Sequence, residues 1–234
     1  MILCIETATG LCSAALCDTR GTVALKESSE GRSHASLLTV FIEEILTKTG
    51  TRASDLDAVA VSKGPGSYTG LRIGVSVAKG IAFASSIPLI AIDTTLSMFQ
   101  GFSDIAGEKY GIRTNDLFCP ALDARRMEIY YAVYDRMGNV IRNIRAEIMK
   151  ENSFREFPES SRIFLFGDGA SKCKDVISRK NIITDIDFVI SASFMQKPAY
   201  EAYKNRRFED VAYFEPFYLK DFLTSKPVKN VLGK

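Results

Sequence analysis

Eleven residues, Gly64-Pro65-Gly66-Ser67-Tyr68-Thr69-Gly70-Leu71-Arg72-Ile73-Gly74, carry the least ordinary chemistry in the chain. They follow the apolar run Ala58-Val59-Ala60-Val61 and lead into a helical pattern. A strand-to-helix junction of this kind can bind an anion through free backbone N–H groups. The segment nevertheless fails the usual templates. No Gly-Lys-Ser/Thr closes it as in a P-loop. Thr69 stands where Gly-x-Gly-x-x-Gly needs its third glycine, and Pro65 and Thr69 occupy the glycine places of a nucleophile elbow around Ser67. The other reactive residues are equally sparse. His34 is the single histidine in 234 residues, so a site with two or three His ligands cannot be assembled, and the position four residues on is Leu38. A Ser-His-Asp arrangement would have to use His34. The cysteines number five, an odd count without a Cys-x-x-Cys pair; they are expected to be buried free thiols.

Some residues have two readings. Gly70, Gly74, Ala78 and Ala82 form an i, i+4 stripe of small residues on the predicted helix. Each mid-helix glycine costs about 1 kcal/mol relative to alanine, and close backbone approach would offset it. The stripe either presses on its own sheet or packs against another subunit. Arg72 falls in the first helical turn, where the macrodipole disfavours a cation, so a carboxylate or backbone partner is expected. Asp123-Ala124-Arg125-Arg126 follows a strand and is a candidate for an ion pair between lobes. Asp168, between Gly167 and Gly169, reads first as a turn residue.

The elements that must position these residues follow a repeated order. Ile2 to Glu6, Ser13 to Cys17 and Thr22 to Glu27 read as strands, with Asp18-Thr19-Arg20-Gly21 as a turn. A helix is predicted from a Ser33 N-cap to Gly50, with Leu37, Leu38, Phe41, Ile42, Ile45 and Leu46 as a wide apolar stripe. Strand Ala58 to Val61, a helix through about Ser85, strand Leu89 to Ile92 and a short helix from Leu96 complete the first half. The second half has strands at Leu117 to Leu122, Ile129 to Tyr134 and Val140 to Glu147. A short helix at Ser153 to Phe157, a strand at Ile163 to Phe166, a helix at Ser171 to Ser178, a strand at Phe188 to Ile190 and a helical stretch over 193 to 207 follow. Two copies of one order predict a two-lobed α/β fold, a duplicated RNase H-like or actin-like architecture. The lobes are assigned to 1–101 and 102–234, with the last residues packing back on the first.

Composition excludes several classes. A net charge of +2 announces no global nucleic-acid field. The chain opens directly on an apolar strand, which predicts no signal peptide, and no apolar run approaches the roughly 20 residues of a membrane span. A cytoplasmic location is expected.

Together these segments resemble the TsaB (YeaZ) family. The matching stretches are Ile2 to Thr9, the Arg32-Ser33-His34 helix start, Gly64 to Gly74, Ala121 to Tyr130, Gly167-Asp168-Gly169 and Pro216-Phe217-Tyr218-Leu219-Lys220, in family order over nearly the whole chain. The Gly64 to Gly74 segment is the specific one. Glu6 stands where the family usually has Asp, and Lys220 where Arg is common. The resemblance implies an actin-like two-lobed fold and a role in making threonylcarbamoyladenosine in tRNA, as a non-catalytic partner of the metal-binding transferase subunit TsaD. A TsaE-like ATPase joins that assembly, and tRNA is engaged indirectly. It further implies that the first lobe's two helices form the face for TsaD and for a homodimer. Carried over, that face is His34, Leu37, Leu38, Phe41, Ser67, Tyr68, Gly70, Leu71, Arg72, Gly74, Val75 and Ala78, and Gly74→Arg is expected to abolish partner binding while leaving the lobes folded. In actin-like phosphotransferases the first strand's turn holds an Asp and small residues around Mg-phosphate; here Glu6, Thr7 and Thr9 make at most a degenerate nucleotide site. No cofactor is expected. Weak ADP or ATP binding, an actin-like ATPase and a glycoprotease-like hydrolase stay open as alternatives.

Overall fold

The computed structural model describes residues 1–29, 34–184 and 186–220. The Ser33 cap and the Arg32-Ser33 part of the helix-start motif lie outside the described residues. Five strands form the first sheet. β1 (Ile2–Glu6), β2 (Cys12–Cys17) and β3 (Thr22–Ser28) are antiparallel neighbours, while β4 (Ala58–Gly64) lies parallel to β1 and β5 (Leu89–Asp93) parallel to β4. Their order is β3-β2-β1-β4-β5. β1 and β4 are covered on both faces, which is why they read as continuous apolar runs. α1 (His34–Thr49) and α2 (Tyr68–Ser85) cover one face, where Leu3, Ile5, Val59 and Val61 meet Leu38, Ile45, Val75 and Ala78. The other face is covered from the far end of the chain: Ile2, Cys4, Ala60 and Ile90 meet Ala192, Met195, Ala199 and Ala202. Those residues lie on a 3-10 turn, Ala192–Met195, and on α4 (Gln196–Lys204).

The second sheet repeats the plan. β6 (Leu117–Asp123), β7 (Glu128–Asp135) and β8 (Val140–Ile148) are antiparallel, and β9 (Ile163–Phe166) and β10 (Ile182–Ile183) add parallel strands on the other side of β6, giving β10-β9-β6-β7-β8. α3 (Thr94–Tyr110) joins the two sheets. Its Met98, Phe99, Phe102 and Ala106 bury against Phe118, Leu122, Tyr134, Phe164 and Phe166 of the second sheet. Arg162 fastens the end of this helix: it donates to the Tyr110 and Gly111 carbonyls at 3.2 and 2.8 Å and pairs with the buried Asp116 carboxylate. The helix expected from Leu96 as a short element therefore runs 17 residues behind an Asp93 cap position, and residues 101 and 102 fall inside it.

Other expectations also change. Ser153 to Phe157 is a run of turns, with Phe154 at φ 66° and buried under Tyr131. Only Ser171–Cys173 of the expected 171–178 helix is helical, as a 3-10 turn. Phe188 to Ile190 is not a strand; the edge is taken by Ile182–Ile183 instead. In each case the apolar residues satisfy the core through side chains, a pattern that local periodicity cannot separate from regular structure. All five cysteines are buried and free. Among the described residues no helix is long and apolar enough to cross a membrane.

Candidate functional site

The first lobe's two helices settle the choice between readings of the small-residue stripe. A Cβ at Gly70 would overlap the Thr7 carbonyl oxygen, and one at Gly74 the Thr7 hydroxyl. Thr7 in turn donates to the Gly70 carbonyl at 2.8 Å. Gly70, Leu71, Gly74, Val75, Ala78 and Ala82 are all buried within this chain, as is Leu38 of α1. The glycines pack α2 onto its own β1. This corrects the expected face: Leu38, Gly70, Leu71, Gly74, Val75 and Ala78 are spent in the core, and Gly74→Arg would disrupt the lobe.

What α2 presents beside α1 is the next stripe round. Ile73, Val77 and Ile81 recur at i, i+4 and are only partly buried against the core. Val77 and Ile81 join Ile42 and Leu46 of α1 along an open groove of about 520 Å³, rimmed by Thr39, Glu43, Thr47 and Arg52. Gly80 is exposed, and a Cβ there would meet nothing within 4 Å. Nothing among the described residues offsets its helix penalty. The 73, 77, 81 spacing was visible in the sequence but was outshone by the glycines. Leu37 and Phe41 are half-buried on the first core. Among the described residues Arg72 finds neither carboxylate nor backbone: its Nη1 donates to the Tyr68 hydroxyl at 2.8 Å.

A second concavity, of about 660 Å³, lies between the lobes. Ala8, Thr9 and Gly10 of the β1–β2 turn line it with His34, residues 65–69, the β6–β7 loop, Asp168 and the strap Phe217 to Lys220. Glu6 and Thr7 do not line it; both are fully buried behind the turn. Of the degenerate nucleotide triad only Thr9 reaches the cleft. The Glu6 carboxylate accepts from the Ala8 amide at 2.6 Å and from the Ser62 hydroxyl at 2.8 Å, while Oε2 has no hydrogen-bond partner among the described residues. Burial pushes its pKa up to about 7 against those opposing hydrogen bonds. The entry to α2 is closed on the turn. The Ser67 amide donates to the Ala8 carbonyl at 2.6 Å, Ser67 Oγ caps the Gly70 amide, and a Cβ at Gly66 would overlap Ala8. Two amides that could greet a phosphate, those of Ser67 and Gly70, are already used. His34 Nε2 lies 3.1 Å from the Leu11 carbonyl oxygen.

On the other wall, Asp123 pairs with Lys172 of its own lobe rather than across the cleft. The tie that does cross joins Glu128 of β7 to Lys220 of the strap. Asp168 accepts the Asp123 amide at 3.0 Å, and burial raises its pKa. No group of three or more His, Cys, Asp or Glu side chains able to hold a metal occurs among the described residues.

Two sheets of one strand order, facing each other across a cleft with a helix between them, define a two-lobed actin-like α/β protein. The family model described as TsaD, tRNA N6-adenosine threonylcarbamoyltransferase, matches residues 26–213. Among curated proteins, TsaB of Escherichia coli, a tRNA threonylcarbamoyladenosine biosynthesis protein, is 39% identical over 140 residues, 60% of this chain and 57% of that protein. The protein of the same name from Haemophilus influenzae is 26% identical and aligns over 96% of this chain and 95% of its own. The solved YeaZ structure from Pseudomonas aeruginosa has the same fold, with a TM-score of 0.78 at 24% identity over 93% of this chain and 99% of that one. The chain belongs to this family, on its TsaB (YeaZ) branch.

Proposed function

We propose that this chain is a non-catalytic subunit of the tRNA threonylcarbamoyladenosine pathway. It binds and supports a TsaD-like transferase while that subunit passes the threonylcarbamoyl group to the adenosine beside the anticodon. The observation that carries this reading is the alignment with TsaB biosynthesis proteins along 96% of the chain. The α1/α2 groove supports it, because apolar side chains on two adjacent helices beside an unspent Gly80 suit helix packing with a partner. The same face serves self-association of the isolated chain, and a TsaE-like ATPase joins the assembled complex. Support for a non-catalytic role is chemical: the one histidine contacts a main-chain carbonyl, and the Ser67 amide at the α2 entry is closed on the β1–β2 turn. Those closed loops also weigh against an ATPase, a hydrolase or a resident nucleotide.

The test is calorimetric titration of the full chain with the TsaD-like subunit. Val77→Arg, on the groove rather than in the core, is expected to weaken binding roughly thirtyfold or more, the loss typical of an interface anchor, with Tm unchanged. Unaltered affinity would sink the face assignment. A modification assay with and without this chain tests the role itself; equal tRNA modification in both would remove it.

A further inference from the structure

The β6–β7 loop holds two consecutive non-glycine residues in the left-handed region, Arg125 at φ 69° and Arg126 at φ 52°. Such residues persist only where their surroundings over-determine them. Here the bracing is explicit. Lys172 Nζ donates to the Arg126 and Glu128 carbonyls, each at 2.8 Å, and pairs with the Asp123 carboxylate. Asp123 Oδ1 also accepts the Arg125 amide at 2.5 Å, and the Glu128 amide closes the turn on the Arg125 carbonyl. Both arginines are exposed on this braced loop, at the wall of the cleft between the lobes. Two carboxylates of the same loop are already taken, Asp123 by Lys172 and Glu128 by Lys220, and Asp168 across the loop accepts the Asp123 amide. Neither arginine has an ion pair among the described residues. Lys150, also exposed and without an ion pair among them, is brought to the same end of the lobe by the Met149 amide, which donates to the Met127 carbonyl at 2.9 Å.

We propose that Arg125, Arg126 and Lys150 form a contact for an RNA phosphodiester backbone. The proposal rests on the reading above that the chain works in a tRNA-modifying assembly. Two braced forks and a flexible ammonium suit a row of phosphates, since guanidinium matches phosphate geometry bidentately. A small nucleotide fits less well. The Ser67 amide on the cleft floor, which could meet its phosphates, is taken by Ala8, whereas the three cations are exposed, Lys150 outside the cleft lining, and open to a long strand. The contact positions the RNA and reads no bases.

The experiment is fluorescence anisotropy of an anticodon stem–loop RNA with the full chain over a series of salt concentrations. The double variant Arg125→Gln/Arg126→Gln is expected to weaken binding roughly tenfold near 0.1 M salt. It should also lower the slope of log K against log salt by about 1.5 to 2, the share of two phosphate contacts. The Lys/Lys double variant should keep most of that slope. Arg136→Gln, an exposed charge at the opposite end of β7, should leave it unchanged. An unaltered slope in the Gln/Gln variant, an equal loss in Arg136→Gln, or displacement of the RNA by ATP would each overturn the proposal. Loss of TsaD-like partner binding with RNA binding intact would overturn it too, marking the loop as a protein contact. Failure of the subunit reading shows separately, as equal tRNA modification with and without this chain while the Gln/Gln variant still loses RNA.

Discussion

Glu6 shows how one residue can look catalytic and act otherwise. Its type and place at the end of β1 suggested a weakened phosphate turn; the structure turns the carboxylate inward to Ser62 and Ala8. Its protonation then becomes a matter of stability. With a folded pKa of about 7 against an ordinary 4.5, folding favours the neutral acid. The group costs nothing below pH 4.5, progressively more between pH 4.5 and about 7, and a constant amount above. Glu6→Gln removes this dependence. The stability gap between variant and native chain should widen by on the order of 3 kcal/mol from pH 4 to pH 8, as read by denaturant melts at each pH. A flat difference would show that Glu6 titrates in the folded chain at its ordinary pKa. The sequence carried the identity of Glu6 and its position at a strand end, but not the direction of its side chain, which β4 decides through Ser62.

At the scale of elements, local pattern located most strands and the two face-forming helices, because alternation and amphipathic spacing are properties of a few neighbouring residues. It could not say which stripe of α2 faces inward. That choice is made by Thr7, sixty-three residues from Gly70, whose hydroxyl and carbonyl leave no room for a Cβ. The cation pair was legible as Asp123-Ala124-Arg125-Arg126, yet its bracing by Lys172 was not, since that contact spans forty-six residues to Arg126. The second half's failed helices share this cause: Phe154 and Phe157 are apolar because they bury against Tyr131 and one another, whatever backbone carries them. α3 offers a test of such long-range fastening. Arg162 is the partner of a fully buried Asp116 side chain, so Arg162→Ala should lower stability by about 3 kcal/mol through the stranded carboxylate. Arg162→Met paired with Asp116→Asn should recover part of it. Equal loss in single and double variants would mean that the helix-end carbonyls, not the charge pair, carry the effect.

The whole molecule is held by its last described segment as much as by its sheets. After α4 the chain bridges to β5 through Glu209 and Leu89, receives Lys79 Nζ on the Ala212 and Phe214 carbonyls, donates the Phe217 amide to the Lys63 carbonyl at 2.7 Å, and reaches the second lobe at Glu128. The closing ion pair is partly exposed and is worth at most about 1 kcal/mol. Lys220→Glu should therefore speed hydrogen exchange at the Phe217 amide by no more than about fivefold, leave α4 unchanged, and be reversed by adding Glu128→Lys. A much larger effect spreading into α4 would show that the strap and that helix open as one unit. The same routing has a consequence during synthesis. One face of the first sheet waits for residues 192–203, so the lobe made first by the ribosome is finished last. Until then Ile2, Cys4 and Ile90 lie bare, and a nascent chain stalled before α4 would offer a chaperone an open apolar sheet. A truncated product would carry α1 and α2 on a lobe it cannot complete, which ties a finished first sheet to translation through α4.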